Sequence, residues 1–469
     1  MSGTSFPGIG LGNLAAPTAF RSFAMNLFRK GALTLCALLS LSFAMPAQQA
    51  SAEGFSTYLE GSARAMSLAG GLVARGGDAS VVAYNPAAMT RLEGTQFQAN
   101  LAVTQMYWGV DTYGQATPNS HSSHQTWPIP SWYLSHQWSD KVWLGIGQFT
   151  RFGLGVKYPN NWPGGFNLQS VQLITSSLNP NIAYKLNDVF SIAVGAEVLY
   201  ADMQMRKNIT NHPILGAWGE GDMNLNGHGF AFGGNIALHA QFNEQWSAGL
   251  TYRAPMSLKV QGKARWDNAM HGYAAAGNMT KVTELMGAQM TYNQAPGSLK
   301  NKVRGTIHLP DSFAFAVAYK PTKSLSFEAG ATYTLWNRFE NFNIYMKDPL
   351  NYWNGTQKEW KNNWAFNISG EWWATDWMAL RLGFLYDMSP SNMGNADYMM
   401  PSNGRSYYTC GIGFKWQKWT LDLAYMYAHN HELNYNEAAQ TYAGAKGVLL
   451  GRTTHPHAHN FGIGIGYKF

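Results

Sequence analysis

The chain ends Phe461-Gly-Ile463-Gly-Ile465-Gly-Tyr467-Lys-Phe469, with a bulky apolar side chain at every second position and Gly or a polar group between. Successive side chains of a strand point to opposite faces, so one face here is apolar and the other small. The pattern recurs in Phe190, Ile192, Val194, Ala196, Val198 and Tyr200, which alternate with Ser191, Gly195 and Glu197. It recurs again in Leu325, Phe327, Ala329, Ala331 and Tyr333 around Glu328, and in Leu421, Leu423, Tyr425 and Tyr427 around Asp422. Charge is expensive on a lipid-facing surface, so acids on the alternate face require a wet or protein-filled interior. Downstream of residue 52 no apolar run reaches the roughly 18 residues a membrane helix needs. The chain is therefore expected to cross a membrane with strands.

Arg29-Lys30 precede an apolar run from Gly31 to Met45, followed by Ala50-Ser51-Ala52. A positive stretch, a short apolar run and a small-residue site read as a secretory signal, so residues 1–52 are expected to be removed. That removes Arg21, Arg29 and Lys30 and no acids, leaving 30 cations against 26 acids, a formal charge of +4 instead of +7. No dense basic run remains and no nucleic-acid partner is expected. Cys36 follows Leu35, which does not suit a lipidation site, and Cys410 alone cannot form an internal disulfide. Charged residues are 13% of the chain, about half the share in soluble proteins. A secreted, aromatic, weakly charged chain of strands points to a bacterial outer-membrane β-barrel.

Turns give the strand number. Six tight connections lie at 138–141, 185–188, 242–246, 320–323, 373–377 and 416–419, most flanked by Trp, Tyr or Phe as an interfacial girdle would be. Longer polar connections fall near 109–126, 156–166, 209–226, 266–300, 346–358, 388–405 and 430–456. Six short and seven long connections join fourteen strands, with both ends on the periplasmic side. The expected fold is all-β, a fourteen-stranded antiparallel transmembrane β-barrel over 95–469, preceded by an N-terminal lumenal plug (hatch) over 53–94. Fourteen strands enclose a lumen too wide for wall side chains to fill, and the small-residue segment before strand one suits such a filling. Within it Asn85 can cap a short helix, Pro86 suits its first position and Gly94 can end it.

That segment carries a resemblance. Gly54-Phe55, Gly61, "ARAMSLAGG", Asp78-Ala-Ser80 and Asn85-Pro86-Ala87, with "LPDSFAFAVAYKPTKSLSFEAGATYTLWNRF" and "LRLGFLYDMSP" further on, resemble the FadL/TodX (OMPP1) family of outer-membrane transporters. The resemblance implies passive uptake of long-chain fatty acids or other hydrophobic compounds. Ligand is captured at extracellular loops, held in a lumenal pocket and released sideways into the membrane through a kinked third strand once the hatch rearranges. Asn85, Pro86 and Ala87 match the hatch motif, and Gly54 and Phe55 are expected in or near the pocket. Gly153 and Gly155 in "VWLGIGQFTRFGLGVKYP" are candidates for the lateral gate, or ordinary small lumenal residues. Strand parity turns Phe149, Arg151, Arg253, Arg338 and Arg381 inward; the arginines suit a fatty carboxylate. Glu197, Glu328, Asp387 and Asp422 also face inward and compete for them.

Other chemistry is weakly signalled. His429 and His431 face His455, His457 and His459 across the last hairpin on the outward face, which leaves polar strand ends, contact with lipopolysaccharide phosphates and metal binding all open. No metal or cofactor is expected. "GGLVARGGDAS" lacks the phosphate-loop ending, and no G-x-S-x-G elbow occurs. A polar porin and a membrane-embedded lipid hydrolase stand as alternatives. The apolar stretch in 266–300 suits capture of a greasy ligand or packing over the barrel mouth. The terminal Phe469 suits recognition by the barrel assembly machinery, and outer-membrane lipid and lipopolysaccharide are the expected surroundings.

Overall fold

The computed structural model describes residues 55–114, 119–122, 125–160, 162–208, 211–212, 216–217, 222–267, 299–347, 352–438 and 448–469. The expected signal, Gly54 and most of 266–300 lie outside them.

Fourteen strands form the wall. In chain order they are β1 (Thr95–Thr112), β2 (Gln125–Gln137), β3 (Val142–Phe149, resuming at Leu154–Lys157), β4 (Ser170–Lys185), β5 (Phe190–Asn208) and β6 (Asp222–Gln241). Then follow β7 (Trp246–Arg253 and Met256–Asp267), β8 (Leu299–Leu309 and Ser312–Tyr319), β9 (Leu325–Thr334 and Asn341–Lys347) and β10 (Tyr352–Gln357 and Asn363–Thr375). The last four are β11 (Met378–Asp387), β12 (Arg405–Trp416), β13 (Trp419–Asn430) and β14 (Gly451–Lys468). Each is antiparallel to its neighbour, and β14 returns to β1 in a ladder running from Gln96↔Lys468 to Thr112↔Gly451. The sheet closes on itself, as a sheet in lipid requires. The six tight turns fall where the sequence places them; of the long connections, the one expected over 346–358 is cut short, because Asn341–Lys347 and Tyr352–Gln357 pair as strands within it.

The alternation sets the two faces. Phe190, Val194, Val198 and Tyr200 are exposed on the outside, while Ser191, Glu197 and Leu199 are buried inside. Phe190 marks the turn end of β5, and Tyr200 packs on Phe230 of β6, with ring centroids 5.2 Å apart. Ten residues of strand span about 33 Å, or about 25 Å across the membrane at the usual tilt. Tyr252–Phe313 and Tyr333–Trp364, at 4.7 and 4.6 Å, continue the upper girdle.

Residues 55–94 occupy the lumen. They include two short helices, α1 (Ala63–Ser67) and α2 (Val81–Tyr84), and a 3-10 turn over Pro86–Arg91. Wall and plug meet through glycines: a methyl at Gly249 would lie 2.0 Å from the Val73 carbonyl oxygen, and one at Gly411 2.4 Å from Ser67 Cβ. The small inward face of the strands is where the plug backbone seats.

Candidate functional site: a plugged lumen and an interrupted third strand

Asn85 fastens the plug to itself and to the wall. Its Oδ1 accepts from Ala87 N (3.1 Å), the expected cap, with Pro86 at the first position of the turn. Its Nδ2 donates to Val73 O (2.7 Å) and to Leu238 O of β6 (3.0 Å). Gly94 ends the segment at φ +64°. Ala87 is fully buried.

Charge holds the rest of the plug. Arg64 of α1 makes a two-pronged pair with Glu371 of β10 (both 3.0 Å) and reaches Asp78 at 3.0 Å. Glu371 is shared with Arg381 of β11 (2.7 Å), which also holds Asp422 of β13 (2.6 Å). Glu328 of β9 accepts from the backbone N–H groups of Val73 (3.0 Å) and Arg75 (2.6 Å). Removing one member of such a buried set leaves an unpaired charge, which costs about 3–5 kcal/mol.

The third strand is broken. Its ladder on β4 runs to Phe149↔Ser177 and resumes at Leu154↔Leu173. On its other side the ladder with β2 begins at Gln137↔Trp143 and stops at Trp132↔Gln148. Toward the extracellular end, residues 125–131 of β2 therefore pair with β1, and no β3 partner is formed among the described residues. The first described residues of the plug fill in at the break. Ser56 bridges Phe152, Thr57 N donates to Arg151 O (3.0 Å), and Gly153 N donates to Phe55 O (2.6 Å). Gly153 thus lies in the break, and Gly155 in the resumed ladder opposite Gln172.

Phe55 enters an aromatic box. Its ring lies 4.8 Å from Trp336, 5.3 Å from Phe339, 5.8 Å from Phe152 and 5.9 Å from Trp360. Trp336 Nε1 is buried with no hydrogen-bond acceptor among the described residues. Next to the box a cavity of about 50 Å³ lies between Tyr58, Tyr84, Phe149, Arg151, Arg253 and Thr332. Its volume suits a few waters and is too small for an acyl chain.

Phe149, Arg151 and Arg253 therefore come together at this cavity. Arg151 and Arg253 both reach Glu197 at 3.3 Å. Arg151 also donates to Ala254 O and Pro310 O, tying the break in β3 to β7 and β8. Arg253 donates to Ala83 O at the end of α2 (2.6 Å). Arg381 lies elsewhere, in the Glu371 set. Arg338 does not face the plug: it sits in a short turn between the halves of β9, is exposed, and pairs with Asp311 at 2.5 Å. Its strand parity does not carry through, because β9 leaves the ladder after Thr334. Trp336, Phe339, Trp360, Arg64 and Glu371 escaped the sequence reading; Glu371, an acid beside Trp372-Trp373, was the available signal.

The five histidines lie outward among tyrosines. His457 stacks on Tyr107 at 5.1 Å, and the Tyr425 hydroxyl meets His459 Nδ1 at 2.8 Å.

Residues 43–469 match the family described as outer membrane protein transport protein (OMPP1/FadL/TodX). A putative outer membrane protein of Neisseria meningitidis serogroup B is 25% identical over 92% of this chain and 97% of its own. The long-chain fatty acid transport protein of Escherichia coli K12 is 22% identical, over 77% of this chain and 84% of its own. The fold matches the crystal structure of a Pseudomonas aeruginosa FadL homologue with a TM-score of 0.75 at 20% identity, covering 89% of this chain and 100% of the other. It also matches the Pseudomonas putida toluene transporter TodX at 0.67 and 14% identity, covering 88% and 99%.

Proposed function

The chain belongs to this family of outer-membrane transport proteins, and we propose that it takes up long-chain fatty acids or related hydrophobic compounds by passive diffusion, releasing them sideways into the membrane. One observation carries the reading: the same short segment fills an apolar pocket and patches the broken strand. Phe55 occupies the aromatic box while Ser56 and Thr57 bond to Arg151–Gly153. A ligand that takes the place of the Phe55 ring withdraws the patch as it binds. Pocket occupancy and wall opening are then one event, and no energy beyond binding and diffusion is needed.

The pocket chemistry favours an anionic amphiphile. Two guanidiniums share the Glu197 carboxylate, which leaves net positive charge beside the box. The names of the relatives, a long-chain fatty acid transport protein and a toluene transporter, bracket the substrate class. The filled lumen argues against a free-diffusion porin. In this reading there is no catalytic step, and ester hydrolysis by the purified protein would count against it.

The test is uptake of labelled oleate and toluene by cells lacking their own receptor, with Ser56→Cys and Phe152→Cys combined. These residues form a directly opposed antiparallel pair with hydrogen bonds on either side, a geometry that suits a disulfide. Uptake should vanish in the oxidised variant and return with reductant. Equal uptake in both states sinks the gate; failure of the parent chain to import either compound sinks the substrate class.

A further inference from the structure

Just above the upper aromatic girdle, four adjacent strands break: β7 at 254–255, β8 at 310–311, β9 at 335–340 and β10 at 358–362. The break inverts the faces. Below it β7 buries Ser247, Thr251 and Arg253; above it β7 buries Met256, Leu258 and Val260. In β8 the upper half buries Val303, Ile307 and Leu309. The other face of this upper wall is basic. Lys259 and Lys263 of β7 and Lys302, Arg304 and His308 of β8 are exposed on the outside.

The register crowds these charges. Lys263 lies directly opposite Lys302, and Lys259 opposite Thr306. Like charges directly opposed destabilise a sheet. No acid pairs with Lys259, Lys263, Lys302 or Arg304 among the described residues. Arg304 lies over the Tyr345 ring at 4.8 Å. An outer cleft of about 470 Å³ opens between Lys259, Arg304, His308, Arg338, Glu340 and Asn343. Arg338 is seated there by Asp311, which also accepts from the girdle tyrosine Tyr252 at 3.2 Å. The cleft is thus joined to the membrane boundary itself. On its lining Glu340 stands against Lys259, Arg304, His308 and Arg338, the last already paired with Asp311.

The geometry points to a docking site for the phosphorylated sugar headgroup of lipopolysaccharide, the glycolipid of the outer leaflet. Position selects it: the cleft faces away from the lumen, one step above the hydrocarbon, where headgroup phosphates lie. Chemistry agrees, since Arg and Lys with neighbouring amides make a phosphate-binding set. The cleft volume falls in the range of small-ligand pockets. The headgroup supplies Lys259 and Arg304 with the counter-charge that no described acid gives them. The site is separate from the plug and the β3 break, so its test does not depend on uptake.

The purified full chain in detergent is titrated with lipid A and with dephosphorylated lipid A, and bound lipid is read by native mass spectrometry. Lipid A should bind, and the dephosphorylated form should not. Lys259→Gln with Arg304→Gln should weaken binding about 30-fold, at about fivefold per surface charge; Lys259→Arg should bind as the parent does. His429→Gln with His457→Gln, on the opposite wall, should leave binding unchanged. Arg304 and His457 pack on the outward rings of Tyr345 and Tyr107 but on no core residue, and heat-modifiable migration confirms folding of each variant. Equal binding of both lipids, an unaffected double variant, or loss of binding through the histidines overturns the assignment. Displacement of lipid A by equimolar inorganic phosphate assigns the cleft to free anions and overturns it as well.

Discussion

At the scale of single residues, Asn85 shows how much a short motif can hide. As a helix cap alone it would tolerate Asp, which caps as well as Asn does. The structure gives it two further tasks, donation to Val73 O and to Leu238 O. Asn85→Asp keeps the acceptor for Ala87 N but turns a carboxylate onto two carbonyl oxygens. Asn85→Ala removes all three bonds, at about 1 kcal/mol each. The expected order of plug stability is parent, then Ala, with Asp no better than Ala. Ion conductance of the purified protein in a planar bilayer reads it, because the wall ladders do not involve this side chain. A conductance for Asp as low as the parent's would reduce Asn85 to a cap. The motif itself was legible in the sequence, since Asn-Pro after a small-residue run is local chemistry. Its wall partner was not, because a bond to the carbonyl of Leu238 depends on where a strand far along the chain arrives.

Among elements, turns and periodicity were readable because both are local. Each tight turn sits between two alternating runs, and the alternation fixes which face meets lipid. What sequence parity misses is a change of phase. It carries Arg253 inward correctly within one half of β7, but it fails for Arg338, because β9 leaves the ladder between Thr334 and Asn341. The aromatic box was out of reach for the same reason: Trp336, Phe339 and Trp360 come from two such interruptions. The inward glycines were visible as a small face, but not as a mould for the plug. That mould is testable. Gly249→Ala places a methyl 2.0 Å from Val73 O, so plug or wall must move, at about 1–3 kcal/mol for overpacking. At Gly370, on the outward face, the added methyl meets Phe327 ring atoms at 3.5 Å, an ordinary contact. Antibiotic sensitivity of cells expressing each variant should rise for Gly249→Ala and stay at the parent level for Gly370→Ala. Equal sensitivity would mean that plug and wall are not in fixed register.

For the whole molecule, the placement of the attachments decides what moves. The body of the plug is tied to several strands by one ion pair, Arg64 to Glu371, and by buried hydrogen bonds, the Val73 and Arg75 amides to Glu328 and Asn85 to β6. Its beginning is held at the β3 break by two backbone hydrogen bonds, a Thr57 hydroxyl bond to Thr150 O and the packing of one phenyl ring. A ligand can supply the apolar packing that Phe55 gives up, whereas nothing apolar replaces a buried carboxylate pair. Residues 55–57 are therefore expected to leave while the body stays, Gly61 being held to β2 by Ser131 and Tyr133. Two crosslinks separate this from a hatch that swings as a unit. Ser56→Cys with Phe152→Cys fixes the beginning. Ala63→Cys with Gly464→Cys fixes the body, since a Cβ at Gly464 stands 3.3 Å from that of Ala63, near the spacing a disulfide spans. Under oxidising conditions the first pair should abolish oleate uptake and the second should spare at least half of it. If the second lock stops uptake as fully as the first, the whole plug must move, and the Arg64 ion pair and the amide bonds to Glu328 must break in every transport cycle.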